Sequence, residues 1–275
     1  MQCIQRLSII ICASAFSLFL QSCADLKAIN AFALTSRAVI VKNESIAYGY
    51  TEYAKDSAMI FHPMPASLKE TDCICAAAMN ADKVIRTECE LLATYFTALA
   101  NFTDKSASIN FSPLASSLPA GTYGSLTVSS QESSIVSSLA TGLSDLITSA
   151  YKNKKIHVFM NIYTDSVVPL IRFLKLHASN LSGKIQLMQL EMQRVSDSII
   201  VNNSDKTTRF SVLFAYKQQY QSLAQAINLY SSRMQDFDQL IQASDLIKQN
   251  MDKLNTADFK EKLKALVLTL SYNAN

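Results

Sequence analysis

The chain has 275 residues and a nearly balanced charge, 25 Lys and Arg against 22 Asp and Glu, with no basic tract. Nucleic-acid binding therefore lacks its electrostatic footprint. Gly and Pro number only 5 each, too few for a turn-rich fold, so the composition points to long helices.

The first element is a targeting segment. Arg6 is the only charge before an apolar run from Leu7 to Leu20, 14 residues long. That length fits the h-region of a signal peptide. A membrane-spanning helix needs about 20 apolar residues. A cleaved secretory signal without lipid and a short uncleaved anchor also fit the run itself. The run ends in Leu20-Gln21-Ser22-Cys23. These four residues resemble the lipobox of a bacterial lipoprotein signal peptide, with leucine three before the cysteine and a small residue just before it. The resemblance implies that residues 1–22 are removed and that the Cys23 thiol carries a diacylglyceryl group. Two or more acyl chains hold a protein stably on a bilayer, whereas one holds it only reversibly. Ala24 follows Cys23, and Asp25 comes next. An aspartate directly after the cysteine is the family's inner-membrane retention signal, so the resemblance implies an outer-membrane address facing the periplasm. Removing residues 1–22 takes away one basic residue and changes the formal charge from +3 to +2. The expected mature unit is a single helical domain, 23–275, with a loop-rich insertion at about 103–131.

Residues 24–60 read as a first helical region, striped by Leu26, Ile29, Ala33 and Ile40 and interrupted near Asn43 to Ser45 and at Gly49. Pro63 and Pro65 should end it. Cys73 and Cys75 fall in a short ambiguous segment. With Cys89 they are the cysteines left after Cys23. Exported thiols tend to pair, and three cannot all pair within one chain. One bridge is expected, from Cys75 or Cys73 to Cys89, leaving a thiol over. Cys-Ile-Cys is not a zinc spacing, so no metal site is expected there. A second helix is predicted from Asp82 to Phe102, with Val84, Ile85, Cys89, Leu92, Phe96 and Leu99 on one face. Thr103 to Gln131 is rich in Ser and holds Pro113, Pro119, Gly121 and Gly124. It reads as a loop, a flap, or a strand pair around Gly121 to Gly124. Helix resumes near Ser133, with Ile135, Leu139 and Leu143 on one side.

The best-specified element is an antiparallel hairpin with arms at about 160–200 and 207–243. The first arm carries Val167, Ile171, Leu174, Ala178, Leu181, Ile185, Met188, Met192, Val195 and Ile199. The second carries Leu213, Tyr216, Tyr220, Leu223, Ile227, Tyr230, Met234, Phe237 and Ile241. Both alternate intervals of three and four, the seam of coiled-coil packing. Asn202 to Thr208 should form the turn, with Asn ending one helix in the left-handed conformation and Asp or Thr capping the next. Centring the turn on Ser204 sets Met188 opposite Tyr220 and Leu174 opposite Met234. Phe173, Leu187, Leu190, Phe214 and Leu229 lie off the seam and should be covered by other helices. Pro169 should kink the first arm or mark its true start. Beyond Ala243, Ser244 and Thr256 can each cap a short helix. The fold class is all-α, an elongated bundle built on this hairpin.

Chemistry-bearing motifs are scarce. His62, His157 and His177 stand in no metal-binding spacing, and His177, beside Ala178 of the seam, reads as a structural histidine. Glu88 and Glu90 read as a solvated acidic face, and Tyr216, Tyr220 and Tyr230 as core packing. No nucleophile elbow or phosphate loop occurs. No cofactor and no catalytic residue is expected. The sequence reads as a membrane-anchored envelope lipoprotein that scaffolds, inhibits or neutralises a protein partner by contact. The alternative is a helical-bundle carrier of an apolar ligand or lipid.

Overall fold

The structure is a computed structural model that describes residues 27–44, 48–61, 75–103, 118–148, 155–250 and 256–274. Cys23, the lipobox and Cys73 lie outside the described residues. The elements in chain order are α1 (27–44), α2 (Tyr50–Phe61), α3 (Cys75–Thr103), β1 (Gly121–Tyr123), β2 (Leu126–Val128), α4 (Ser130–Thr148), α5 (Lys155–Ile162), α6 (Val168–Asn202), α7 (Lys206–Gln249) and α8 (Ala257–Ala274). A π-helical turn, Tyr163–Val167, joins α5 to α6. The chain is an all-α bundle whose long helices pack on one another, and one continuous cluster of buried side chains draws on every helix.

Each helix forms where apolar residues recur at intervals of three and four. In α1 the buried stripe is Ile29, Phe32, Ala33, Ser36, Val39, Ile40 and Asn43. Asn30 pins this helix to the end of α3, donating 2.8 Å to the Ala100 carbonyl and 2.9 Å to Thr103 Oγ1. α2 opens on a double cap. Asp82 accepts from the N–H groups of Tyr50 (2.7 Å) and Thr51 (3.0 Å), while Glu52 accepts from Gly49 N–H at 3.1 Å. These bonds satisfy donors that a helix leaves open at its first turn. A Cβ on Gly49 would stand 2.5 Å from Asp82 Oδ1, so only glycine admits this approach. α3 starts at Cys75, about two turns before the predicted Asp82, because Ala76 to Ala78 are strong helix formers.

Within the predicted loop-rich insertion, residues 121–128 form a strand pair with register Tyr123↔Leu126, leaving a two-residue turn of Gly124 and Ser125. Gly124 takes φ +60°, the first-position glycine of a type II′ turn. Lys184 Nζ on α6 donates to the Ser125 carbonyl at 2.8 Å and ties the turn down. α4 then begins at Ser130 with a reciprocal capping box. Ser129 Oγ accepts from Glu132 N–H at 3.1 Å, and Glu132 Oε2 accepts from Ser129 N–H at 3.4 Å.

The hairpin is α6 and α7. Its turn departs from expectation in one respect: Asn203 is extended (φ −108°, ψ 127°), not left-handed. Asp205 caps α7, accepting from Thr208 N–H at 2.7 Å. Pro169 sits in the first turn of α6. The Val168 N–H bonds back to the Tyr163 carbonyl, so the widened π turn falls just where proline's missing N–H and its ring disrupt an α-helical ladder. The register matches a turn centred near Ser204: Gln189 Nε2 reaches the Tyr220 carbonyl at 3.5 Å. The first arm buries its expected seam from Val167 to Met192, but Val195 is half-buried and Ile199 is exposed, because no other helix of the described residues covers the arm there. The second arm differs. Leu223, Tyr230 and Phe237 are buried, but the intervening layers are Ala226, Arg233, Leu240, Ser244 and Ile247, with Ile227, Met234 and Ile241 half-buried. Arg233, a charged residue buried at a seam position, has no counterpart in an apolar stripe. Ser244 caps nothing; α7 runs through it to Gln249. Thr256 does cap α8, its Oγ1 accepting from Phe259 N–H at 3.4 Å.

Candidate functional site

Two features stand apart from ordinary core packing. The first is the far end of the hairpin. The buried residues of α6 stop at Ser196 and those of α7 begin at Leu223, and none between 197 and 222 is buried. Gln219 of α7 still donates to Asp56 of α2 at 2.8 Å; beyond it, toward the turn, α7 buries nothing, and α6 buries nothing after Ser196. Leu187, Leu190, Val201, Phe210, Leu213 and Phe214 are between 49% and 76% exposed. The expectation that other helices cover Leu187, Leu190 and Phe214 fails; Phe173 and Leu229 are half-buried. A two-helix hairpin has one seam, so Leu187, Leu190 and Val201 of α6 and Phe210 and Phe214 of α7, all off it, stay in water, and Leu213 of the expected seam is itself 49% exposed. Tyr216 and Tyr220 lie side by side there with their rings tilted by 39°, 5.5 Å between centroids, and Tyr220 is exposed. Only Tyr230 of the predicted tyrosine trio is buried, donating 2.9 Å to the Tyr48 carbonyl.

The second feature is a polar cluster inside the bundle. Glu88 of α3, Glu132 of α4 and His177 of α6 are all buried, with ligand-type atoms within 4.8 Å of one another. His177 Nε2 and Glu132 Oε1 stand 2.6 Å apart, the length of a charge-assisted bond. Glu88 is 0% exposed, and no N–H or O–H donor of the described residues reaches either of its oxygens. It meets Glu132 carboxyl to carboxyl, which is a bond only if one of them is protonated. Burial, then the bond to Glu132 and its charge, push Glu88 well above its ordinary value, so the proton belongs to Glu88. For Glu132 burial acts upward too, but the bonds from His177 and Glu88 outweigh it and hold its carboxyl below the ordinary range. The predicted solvated face at Glu88 and Glu90 therefore splits: Glu90 is exposed, while Glu88 points into the core three residues after Ile85 and four before Leu92. Beside His177 lies a cavity of about 20 Å³, lined among others by Asn43, Tyr50, Cys89 and Arg233. It is large enough for about one water molecule.

Cys89 is a free, fully buried thiol, and burial pushes its pKa far up, which makes it inert as a nucleophile. Cys75 begins the same helix, fourteen residues earlier. At about 1.5 Å per residue that is roughly 21 Å along the axis. A disulfide tolerates a Cα separation of only about 4.4–6.8 Å. The Cys75–Cys89 bridge is thus incompatible with α3 as a continuous helix. The Cys73 alternative falls on a residue outside the described ones. Among the described residues, no helix is long and apolar enough to cross a membrane. The chain matches no family model, no curated protein and no solved structure.

Proposed function

We propose that the chain is a lipid-anchored protein of the bacterial envelope that works by contact, presenting the far end of its hairpin to a protein partner. The observation that carries the contact reading is the exposed apolar set at the hairpin end, Val201, Phe210, Leu213 and Phe214. Exposed apolar residues scattered singly need no explanation, whereas Phe210, Leu213 and Phe214 stand three and four apart on one face of α7, and such a cluster marks an interaction surface. The residues of that set alternate with Lys206, Arg209 and Lys217, a polar rim of the kind that surrounds an interface core. The anchor rests on Leu20-Gln21-Ser22-Cys23 and the outer-membrane address on Ala24. The fitting partner is a protein with an apolar groove that accepts a helix pair, in the manner of helix-in-groove recognition.

Photo-crosslinking in intact cells tests the contact. A crosslinkable residue at Phe210 should give one discrete adduct band with a protein of the envelope. The same residue at Lys264, an exposed position of α8, should give none. Equal adduct patterns from the two positions, or none from Phe210, contradict the assignment. A Phe210→Ser, Phe214→Ser double variant should stay folded and lose capture of the same partner by at least tenfold.

A further inference from the structure

We infer that Glu88, Glu132 and His177 form a binding site for one divalent first-row metal ion, each offering one ligand atom from a different helix. Three observations converge. The ligand atoms already lie within 4.8 Å of one another in a buried part of the core. Around a zinc ion with bonds of about 2.0–2.2 Å, ligand atoms stand about 3.4 Å apart, so the cluster needs small side-chain rotations and no movement of helices. The His177–Glu132 contact at 2.6 Å opens slightly, and the widest separation closes. Second, Glu88 is wholly buried and no donor of the described residues reaches its oxygens. A buried carboxyl without donors takes either a proton or a cation. Third, two carboxylates and one neutral imidazole around a doubly charged ion sum to zero, so the occupied site leaves no net charge in the core.

The donor set selects the metal class. Imidazole with carboxylates suits zinc, manganese or ferrous iron. Magnesium and calcium prefer shells of oxygen, often including several waters, and a buried site with an imidazole ligand and room for about one water disfavours them. Enclosure assigns a structural role: the ion enters as the chain folds and joins α3, α4 and α6 at a point where no backbone ladder connects them.

Protein purified in detergent from cells grown with added zinc, and separately with added manganese, tests this by elemental analysis and thermal melting. The expected result is close to one ion of zinc or manganese per chain, retained against a chelator while the protein is folded and released when it unfolds. Glu88→Gln keeps the shape and can donate an N–H to Glu132, so it should fold, yet its metal content should fall at least tenfold. Wild-type protein carrying no more of either metal than Glu88→Gln, with a melting temperature unchanged by chelator during growth and purification, overturns the site. Equal loading of wild type and Glu88→Gln overturns it too, by placing the ion elsewhere.

Discussion

Glu88 shows how a single buried carboxyl sets the pH behaviour of the core. Its pKa in the folded chain lies well above the ordinary 4.5, chiefly through burial. The folded state therefore keeps a proton that the unfolded chain releases. The stability this confers is full below about pH 4.5 and is lost as pH rises through the raised value. Glutamine imitates the protonated form at every pH. In chelator, Glu88→Gln should equal wild type in urea unfolding at about pH 4.5 and become progressively more stable than wild type as pH rises to 8. A variant less stable than wild type at pH 8 by more than about 2 kcal/mol, the scale of a lost buried hydrogen bond, contradicts this account. Glu132 has the opposite sign. Its lowered pKa gives stability above its unfolded value that is lost as pH falls through the folded one. Parts of this cluster are readable from sequence. Ser129-x-x-Glu132 spells a capping box, and Glu88 stands on the apolar stripe of α3. What one sequence does not carry is that α3, α4 and α6 bring the three residues to one point, because that depends on packing between residues up to 89 apart.

Among the elements, the hairpin was the most legible because a heptad stripe is a local signal that tertiary packing here reinforces. The stripe from Val167 to Met192 is buried in full, and the cross-arm register follows from the turn alone. The second arm was half-legible. Its burial includes Arg233, whose guanidinium lies 5.2 Å from the centre of the Tyr230 ring and whose charge an apolar-only reading rejects. Two substitutions separate the proximal and distal parts of the hairpin. Ile185→Ala, in the fully buried seam, should cost about 2–5 kcal/mol in denaturant unfolding. Phe210→Ala, 71% exposed, should stay within about 0.5 kcal/mol of wild type. Similar costs at both positions contradict an uncovered hairpin end. The helix caps give a second check. Gly49→Ala drives the Asp82 carboxylate off the N-terminus of α2 and should cost about 0.5–2 kcal/mol, the worth of a helix cap. Gly124→Ala forces a side chain into φ +60° against the α3 backbone at Ala77 and Ala78, at about 1–3 kcal/mol. The strand pair that needs Gly124 was only one of three readings of its segment, since three-residue strands leave no periodic pattern to count.

At the scale of the whole molecule, composition settles the class: few glycines and prolines and long amphipathic stripes yield a helical bundle with one continuous core. The proposed function joins that bundle to a bilayer by a lipid at its N-terminus and leaves the hairpin end for a partner. Intact mass spectrometry of the protein extracted from membranes, beside its Cys23→Ser variant, tests this arrangement most directly. The account predicts a wild-type chain that begins at Cys23, carries the added mass of a diacylglyceryl group and sediments with membranes. The variant should keep its leader or lack the lipid. An unmodified Cys23, or a Cys23→Ser protein processed and sedimenting like wild type, would contradict it.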